Sequence, residues 1–435
     1  MMSTMDQYIL NLPSVLATLV CAGEQLYAKL YAEETQYARL NHARINQSGA
    51  IHQNVLTLFL SNGKSMVSAS LEGELPSGTH LRDWVQSLRD DLRYVPDDPW
   101  LNLSADPWQI ETGGPGSSSN FEEMVSVLCE SAGAHDLVGL VLAGPQTLAV
   151  CSSQGHCLVH RGGGSSVDVS FFDSEYNAVK RVRNQPDIQD IPALMDGMAR
   201  NLNALQRPTV TPKAGSYRAW LSAEALAELL GTISWNGFSE EAIHSGSSPL
   251  SQLYTGEKHL DPSVMLQENR LALGAPPFTE QGFPLPGEVP LIAAGSARQS
   301  LVSPRAAREF DQMINSDGLP MALHLHAGAL PDAEVLRQIG TGLYIGRLWY
   351  TNVSDPASCR LTAMTRYDCF WVEQGELAGP LAPVRVDSSL YQILGSDLEA
   401  LGATMHHIPE THSYSSRSWG GAMLPGAMTA LKITL

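Results

Sequence analysis

The sequence predicts an α+β protein of two lobes, with N-terminal α/β meander layers followed by a mostly β C-terminal domain. Three observations lead there. A helix–meander–helix order occurs twice before residue 207. The tetrapeptide Ser61-Asn62-Gly63-Lys64 is a strong hairpin turn, since Asn-Gly readily takes positive φ. Beyond residue 208 the chain is rich in Gly and Pro and carries short β-like runs. With 435 residues, 43% of them hydrophobic, the chain can fill more than one core, because a single core stops growing at roughly 250–300 residues.

Residues 1–95 form the first segment. Val15, Leu16, Leu19, Leu26 and Leu30 fall on one side of a helix expected from Pro13 to Glu34. Tyr37–Ile45 alternates as a strand, Gln47-Ser48-Gly49 reads as a turn, and Ile51–Leu60 and Met66–Leu71 flank the Asn-Gly hairpin. His80–Leu92 is a second helix with Leu81, Trp84, Val85 and Leu88 on one face. Residues 96–120, rich in Pro, Gly and Ser, have the chemistry of a mobile connector. Residues 121–207 repeat the order: a helix from Phe121, strands at Leu137–Leu142, Thr147–Ser152, Cys157–Arg161 and Ser166–Phe172, and a helix at Asp190–Leu205. This is a repeat of pattern, not of residues. In residues 208–435, Ser216–Leu221 reads as a strand and Ser222 caps a helix over Ala223–Leu230, with Glu224 in the first turn where the dipole favours a carboxylate. Strands follow at Leu343–Tyr350, Leu361–Thr365, Cys369–Glu373, Leu377–Ala378 and Met428–Thr434.

Composition narrows the function. The 27 basic and 45 acidic residues give a net charge of −18. Such a surface repels phosphate backbones, so nucleic acid is not an expected partner. No basic cluster is longer than Lys180, Arg181, Arg183. Leu137–Val150, the longest apolar stretch, is too short to span a bilayer, and Met1–Val20 lacks the basic start of a signal peptide. The chain reads as cytoplasmic. Its six Cys include no CxxC pair, so free thiols are expected, although Cys151 and Cys157 could meet across a turn.

Other constellations are weak. His324-Leu325-His326 would put both rings on one side of a strand, a geometry that can bind a metal but that a half-exposed strand explains better. Met405-His406-His407 and His412 lie near the tail and could line a cleft. Gly162-Gly163-Gly164-Ser165-Ser166 lacks the Lys and helix start of a phosphate loop and reads as a flexible turn. There is no G-x-S-x-G elbow for a serine hydrolase.

Several stretches, in order, resemble the TldD/PmbA family. They are Arg39–Gln53 with the Asn62-Gly63-Lys64 hairpin, then Gly139–Gly144 with Val150–Gly155, where Ser152 or Ser153 replaces the usual Asn. Tyr217–Ala225 follows. The best match is late: Gly342–Trp349, Asp355-Pro356 and Phe370–Leu377. The resemblance covers roughly residues 25–435. It implies a two-lobed α+β fold and a cytosolic heterodimer that trims unfolded proteins and peptide precursors. In it a TldD-type partner carries zinc and hydrolyses peptides, while a PmbA (TldE)-type subunit shapes the chamber.

The TldD branch uses H-E-x-x-x-H on a helix plus a distal thiolate. Two imidazoles a helical turn apart grip one Zn²⁺, and the Glu beside the first deprotonates a bound water. This sequence has no such motif. At the place taken to correspond stand Glu240, Glu241 and His244. Glu240 and His244 are i, i+4, and Glu241 would sit where the base sits, so a degenerate Glu/His site is one reading and a solvated short helix the other. The tail Ser413–Gly421 offers hydroxyls and no thiol. No cofactor is therefore expected in this chain. The leading expectation is a non-catalytic peptidase subunit that completes the substrate cleft and docks an unfolded peptide by β-addition. The alternatives are a self-sufficient hydrolase on the Glu/His site, or a stand-alone peptide binder. A homodimer is compatible with each. The aromatics Tyr344, Trp349 and Trp371, concentrated in a chain only 7% aromatic, are the candidate subunit interface.

Overall fold

Ser3 opens the first helix, α1 (Thr4–Ala17), with a reciprocal cap: its Oγ accepts from the Asp6 N–H at 3.1 Å, and the Asp6 carboxylate accepts from the Ser3 N–H at 3.3 Å. In the computed structural model, which describes residues 3–114, 120–409 and 417–434, this helix stops well before Glu34. Gly23, at φ 83°, turns the chain into β1 (Gln25–Asn41). The expected helix over Pro13–Glu34 is thus corrected. Leu26, Ala28 and Leu30 are buried at every second position, as a strand requires. Leu26 and Leu30, four apart, satisfy the helical and the strand period equally, which is why spacing misled.

The turn into β2 (Arg44–Ser61) is His42-Ala43, with φ 51° and 54°, not Gln47-Ser48-Gly49, which lies within β2. The Asn-Gly turn into β3 (Met66–Glu72) is where the sequence puts it. Gly63 has φ 84°, and Asn62 Oδ1 accepts from the Lys64 and Ser65 amides at 2.9 and 2.8 Å. Helix α2 (Gly78–Leu92) covers this hairpin through Leu81, Val85, Leu88 and Leu92.

The second round is β4 (Gln109–Gly113), α3 (Phe121–Ser131), β5 (Asp136–Ser152), β6 (Cys157–Phe172), β7 (Ala178–Asn184) and α4 (Ile191–Leu205). Its meander does not make a separate layer. β1 pairs antiparallel with β5, so the two rounds share one seven-stranded sheet in the order β3-β2-β1-β5-β6, with β4 and β7 both on β6. The four strands expected in this region are two long ones. Gly162-Gly163-Gly164, expected as a turn, lies inside β6 opposite Gln146, Pro145 and Gly144. A Cβ on Gly163 would come within 2.2 Å of the Gly144 carbonyl, so the strands meet this closely only because glycine stands there.

Residues 96–114 are a strap rather than a mobile connector. The Ser104 amide donates to Gln281 O at 3.0 Å, Asn102 Nδ2 to Pro304 O at 2.8 Å and Tyr27 Oη to Ser104 O at 2.6 Å, while Arg305 pairs with Asp98 at 2.6 Å. Backbone polar groups thus find partners on both lobes, which composition alone does not reveal. The remainder of the Gly/Ser run, 115–119, lies outside the described residues.

The C-terminal half begins with β8 (Gly215–Leu221), α5 (Ala223–Ser234), α6 (Glu240–His244), α7 (Ser251–Tyr254), β9 (Leu266–Asn269) and α8 (Arg270–Leu273). It continues with β10 (Glu288–Ala293), β11 (Ser296–Ala297), α9 (Pro304–Phe310), β12 (Ala322–Leu325) and α10 (Val335–Ile339). Then come β13 (Gly342–Ile345), β14 (Leu348–Asp355), β15 (Arg360–Thr365), β16 (Cys369–Glu373), β17 (Glu376–Pro380) and β18 (Arg385–Ser389). The last are β19 (Ala400–Leu401), β20 (His406–Ile408), β21 (Gly421–Leu424) and β22 (Ala427–Ile433). A nine-stranded sheet runs β14-β15-β18-β22-β8-β13-β16-β17 with β19 on β22, and a six-stranded sheet runs β11-β10-β9-β12-β21-β20. The apolar face of α5, Leu226, Leu229, Leu230 and Ile233, joins residues of both sheets, such as Leu343 and Leu291, in one core. No helix among the described residues is long and apolar enough to cross a membrane.

Candidate functional site

Strand period fixes the centre of the molecule. On β7, Arg181 and Arg183 share one face and Lys180 takes the other. Lys180 turns back to Asp168 of β6 at 2.7 Å. The two arginines instead cross to the C-terminal half. Arg181 Nη1 reaches Asp368 Oδ2, just before β16, at 2.7 Å, and Arg183 donates to the Glu224 carboxylate. Burial by itself pushes the Glu224 pKa up, but Arg183 and Arg181 outweigh it and hold the carboxyl at about 2.

Glu224 stands in the first turn of α5. Ser222 starts that helix by accepting from the Ala225 amide at 3.2 Å, while its own hydroxyl donates to Gly346 O at 2.7 Å. The ion pair therefore sets the N-terminal end of α5 against β7.

Along α5 runs a cleft of about 970 Å³. One wall is α5 itself, with Glu224, Glu228, Gly231 and Trp235, and the opposite wall is β14, with Tyr350, Thr351, Asn352 and Val353. β14 is the edge strand of the nine-stranded sheet, so one side of its backbone has no strand partner among the described residues. The rim is apolar: Trp235 and Tyr350 are each 74% exposed and Leu319 is 53% exposed. Deeper in, Arg347 Nη2 lies 3.8 Å from Glu228. Arg347 Nη1 and Thr351 Oγ1 are buried and have no hydrogen-bond partner among the described residues. A buried donor without an acceptor is costly. An extended chain laid on β14 would bring carbonyls and amides to this wall.

The sequence candidates lie elsewhere. Glu240 and His244 do meet, at 3.0 Å, on α6. Glu240 also accepts from Ser300, Glu241 accepts from Ser239 at 2.8 Å and from Ser303 at 2.5 Å, and the His244 ring stacks on Phe310 at 4.0 Å. All three side chains tie α6 to neighbouring segments, and none lines the cleft. Tyr344 is packed between the lobes beside Phe370, at 6.2 Å. Trp349 is half-buried under the Arg366 guanidinium at 3.8 Å, and Trp371 lies edge-on to Tyr217 at 5.5 Å. Of the aromatics in this stretch, Tyr344, Trp349 and Trp371 are half-buried, while Tyr350 is 74% exposed.

His324 and His326 do face the same side, 5.1 Å apart. His407 Nε2 is spent on Gly420 O at 3.0 Å, and His412 lies outside the described residues. Glu224, Arg347 and the open edge of β14 were missed as a site. The one available signal was the i, i+2 spacing of Arg181 and Arg183.

Residues 214–429 match the family described as PmbA/TldA metallopeptidase C-terminal domain. That stretch belongs to the TldD/PmbA family. Three solved structures share its fold from end to end. TldE of Thermococcus kodakarensis superposes with a TM-score of 0.79 at 13% identity, covering 99% of both chains. A candidate modulator of a DNA gyrase from Thermotoga maritima MSB8 gives 0.74 at 14% identity, covering 99% of this chain and 100% of that one. A protein of the same description from Bacteroides thetaiotaomicron VPI-5482 gives 0.75 at 14% identity, covering 100% and 99%. At such identities the likeness establishes the fold. No curated protein sequence matches the chain.

The family name implies a metal, and the cleft does not suit one. Its carboxylates, Glu224 and Glu228, are each paired with a guanidinium, and among the described residues no Cys or His lines it. A divalent zinc there would meet Arg183 and Arg347 in place of the nitrogen and sulfur donors it prefers. Among the described residues no three His, Cys, Asp or Glu are gathered as metal ligands.

Proposed function

We propose that this TldD/PmbA-family chain is a PmbA (TldE)-type subunit that holds an unfolded peptide, while a TldD-type partner supplies zinc and hydrolysis. The observation that carries this reading is the α5–β14 cleft, which combines an unpaired strand edge, an apolar rim and carboxylates neutralised by arginine. Edge amides and carbonyls of β14 pair with any extended backbone, which gives sequence-tolerant binding. Trp235, Tyr350 and Leu319 take apolar side chains, which unfolded chains expose and folded ones hide. The cleft holds the substrate and performs no bond-breaking step.

The test is binding of a chemically unfolded, reduced and alkylated polypeptide to the purified chain, followed by Trp fluorescence. Trp235→Phe and Tyr350→Asn, at exposed rim positions, should each weaken binding several-fold without changing the melting temperature. Equal binding by both variants would remove the cleft from the account.

A further inference from the structure

Cys151 stands near the end of β5 and Cys157 begins β6, and the strand register sets them directly opposite one another. The Cys157 amide donates to Trp108 O at 3.1 Å, so its backbone groups face away from β5. The two cysteines are therefore a non-hydrogen-bonded cross-strand pair, the kind whose Cα atoms approach to about 4.5 Å. That lies within the roughly 4.4–6.8 Å that a disulfide spans.

Their surroundings differ. Cys151 is buried, its Sγ 3.7 Å from Ile9 O of α1, whereas Cys157 is half-buried. The neighbouring Cys151 thiol draws the Cys157 thiol down to about 7 against the opposing effect of burial, and Arg161 adds to the lowering. Cys359 and Cys369, by contrast, are deeply buried and pushed up to about 12 by desolvation.

We propose that Cys151 and Cys157 form an oxidisable dithiol, in which Cys157 reacts with a peroxide and Cys151 resolves the product into a cross-strand disulfide. The Cys157 thiolate attacks one peroxide oxygen, the O–O bond breaks, and one water leaves with a proton from solvent, giving a sulfenic acid on Cys157. The Cys151 sulfur then attacks the Cys157 sulfur. The S–O bond breaks, the S–S bond forms, and the Cys151 proton departs with the second water. Two thiols lose two electrons in all, and hydrogen peroxide is reduced to two waters. The disulfide removes the S–H that faces Ile9 O and fixes the strand ends from which the Trp108 strap is held.

The experiment uses the full chain with hydrogen peroxide at neutral pH, then alkylation with iodoacetamide in denaturant and peptide mapping by mass. The expected result is a linked Cys151–Cys157 peptide, two hydrogens lighter than its reduced form, while Cys359 and Cys369 stay alkylatable. In Cys151→Ala, dimedone should label Cys157. In the untreated protein the alkylation rate of Cys157 should rise about tenfold between pH 6 and pH 8, as a thiol titrating near 7 requires. Retention of both thiols at peroxide levels that oxidise the exposed Cys21 would overturn the proposal. So would a dimedone adduct on Cys151 in Cys157→Ala.

Discussion

Arg181 of β7 and Asp368 before β16 meet at 2.7 Å, with side-chain exposures of 13% and 0%, and so join the two lobes through a buried charge pair. Two residues on, Arg183 does the same with Glu224. Desolvating four charges is expensive, and their mutual attraction repays it only in good geometry. What the pairs fix is placement, since α5 and one wall of the cleft are positioned through Glu224.

Removing one partner should therefore be far worse than removing both. Arg183→Met leaves the Glu224 carboxylate buried without its nearest cation and should cost about 3–5 kcal/mol in urea unfolding. The double variant Arg183→Met/Glu224→Gln should recover a large part of that loss. Additive losses in the double-mutant cycle would show that the two side chains do not interact.

Acid should expose the same pair. The Glu224 carboxyl titrates at about 2 in the folded chain against an ordinary value of 4.5. A depressed pKa stabilises the fold above the unfolded value, and that contribution is lost as pH falls from about 4.5 to about 2. The stake is on the order of 3 kcal/mol. Urea midpoints measured across this window should fall less in the double variant than in the wild type. Parallel curves would place the acid-sensitive group elsewhere.

Arg417 is a further tie between the lobes. Its guanidinium donates to Gly144 O at 2.9 Å, Gly164 O at 2.7 Å and Thr35 Oγ1 at 3.3 Å. Arg417→Met keeps the apolar stem but leaves these acceptors on the glycine-lined sheet. A loss of about 2–4 kcal/mol in the urea unfolding free energy is expected. An unchanged midpoint would mean that the clamp adds nothing to stability.

The strap supplies a kinetic test. Residues 97–109 carry hydrogen bonds to both lobes, so they should resist limited proteolysis until the protein unfolds globally. Early cutting between Pro99 and Trp108 would restore the mobile connector that composition suggests.

Much of the fold is legible in the residues. The Asn62-Gly63 hairpin, the Ser222 cap and the repeated helix–meander–helix order each follow from local chemistry. The errors have local causes too. Leu26 and Leu30 obey two periods at once, and the triple glycine reads as a turn because nothing local shows that Gly144 crosses it. The cleft was hidden for another reason. Arg183 and Glu224 are 41 positions apart in the chain, and an edge strand is defined by which partner is missing. Neither property belongs to a short stretch of sequence. The α6 carboxylates looked site-like because i, i+4 spacing is also what a structural tie uses.

The central claim, that this chain holds peptide for a zinc-bearing partner, is tested most directly by mixing it with a TldD-type subunit. Cleavage of an unfolded polypeptide is measured with each subunit alone, with both, and with both plus a chelator. The expected result is cleavage by the mixture that the chelator abolishes and that Tyr350→Asn in this chain reduces several-fold, with this chain inactive alone. Chelator-insensitive cleavage by this chain alone, or no complex and no cleavage with any TldD-type subunit, would contradict it.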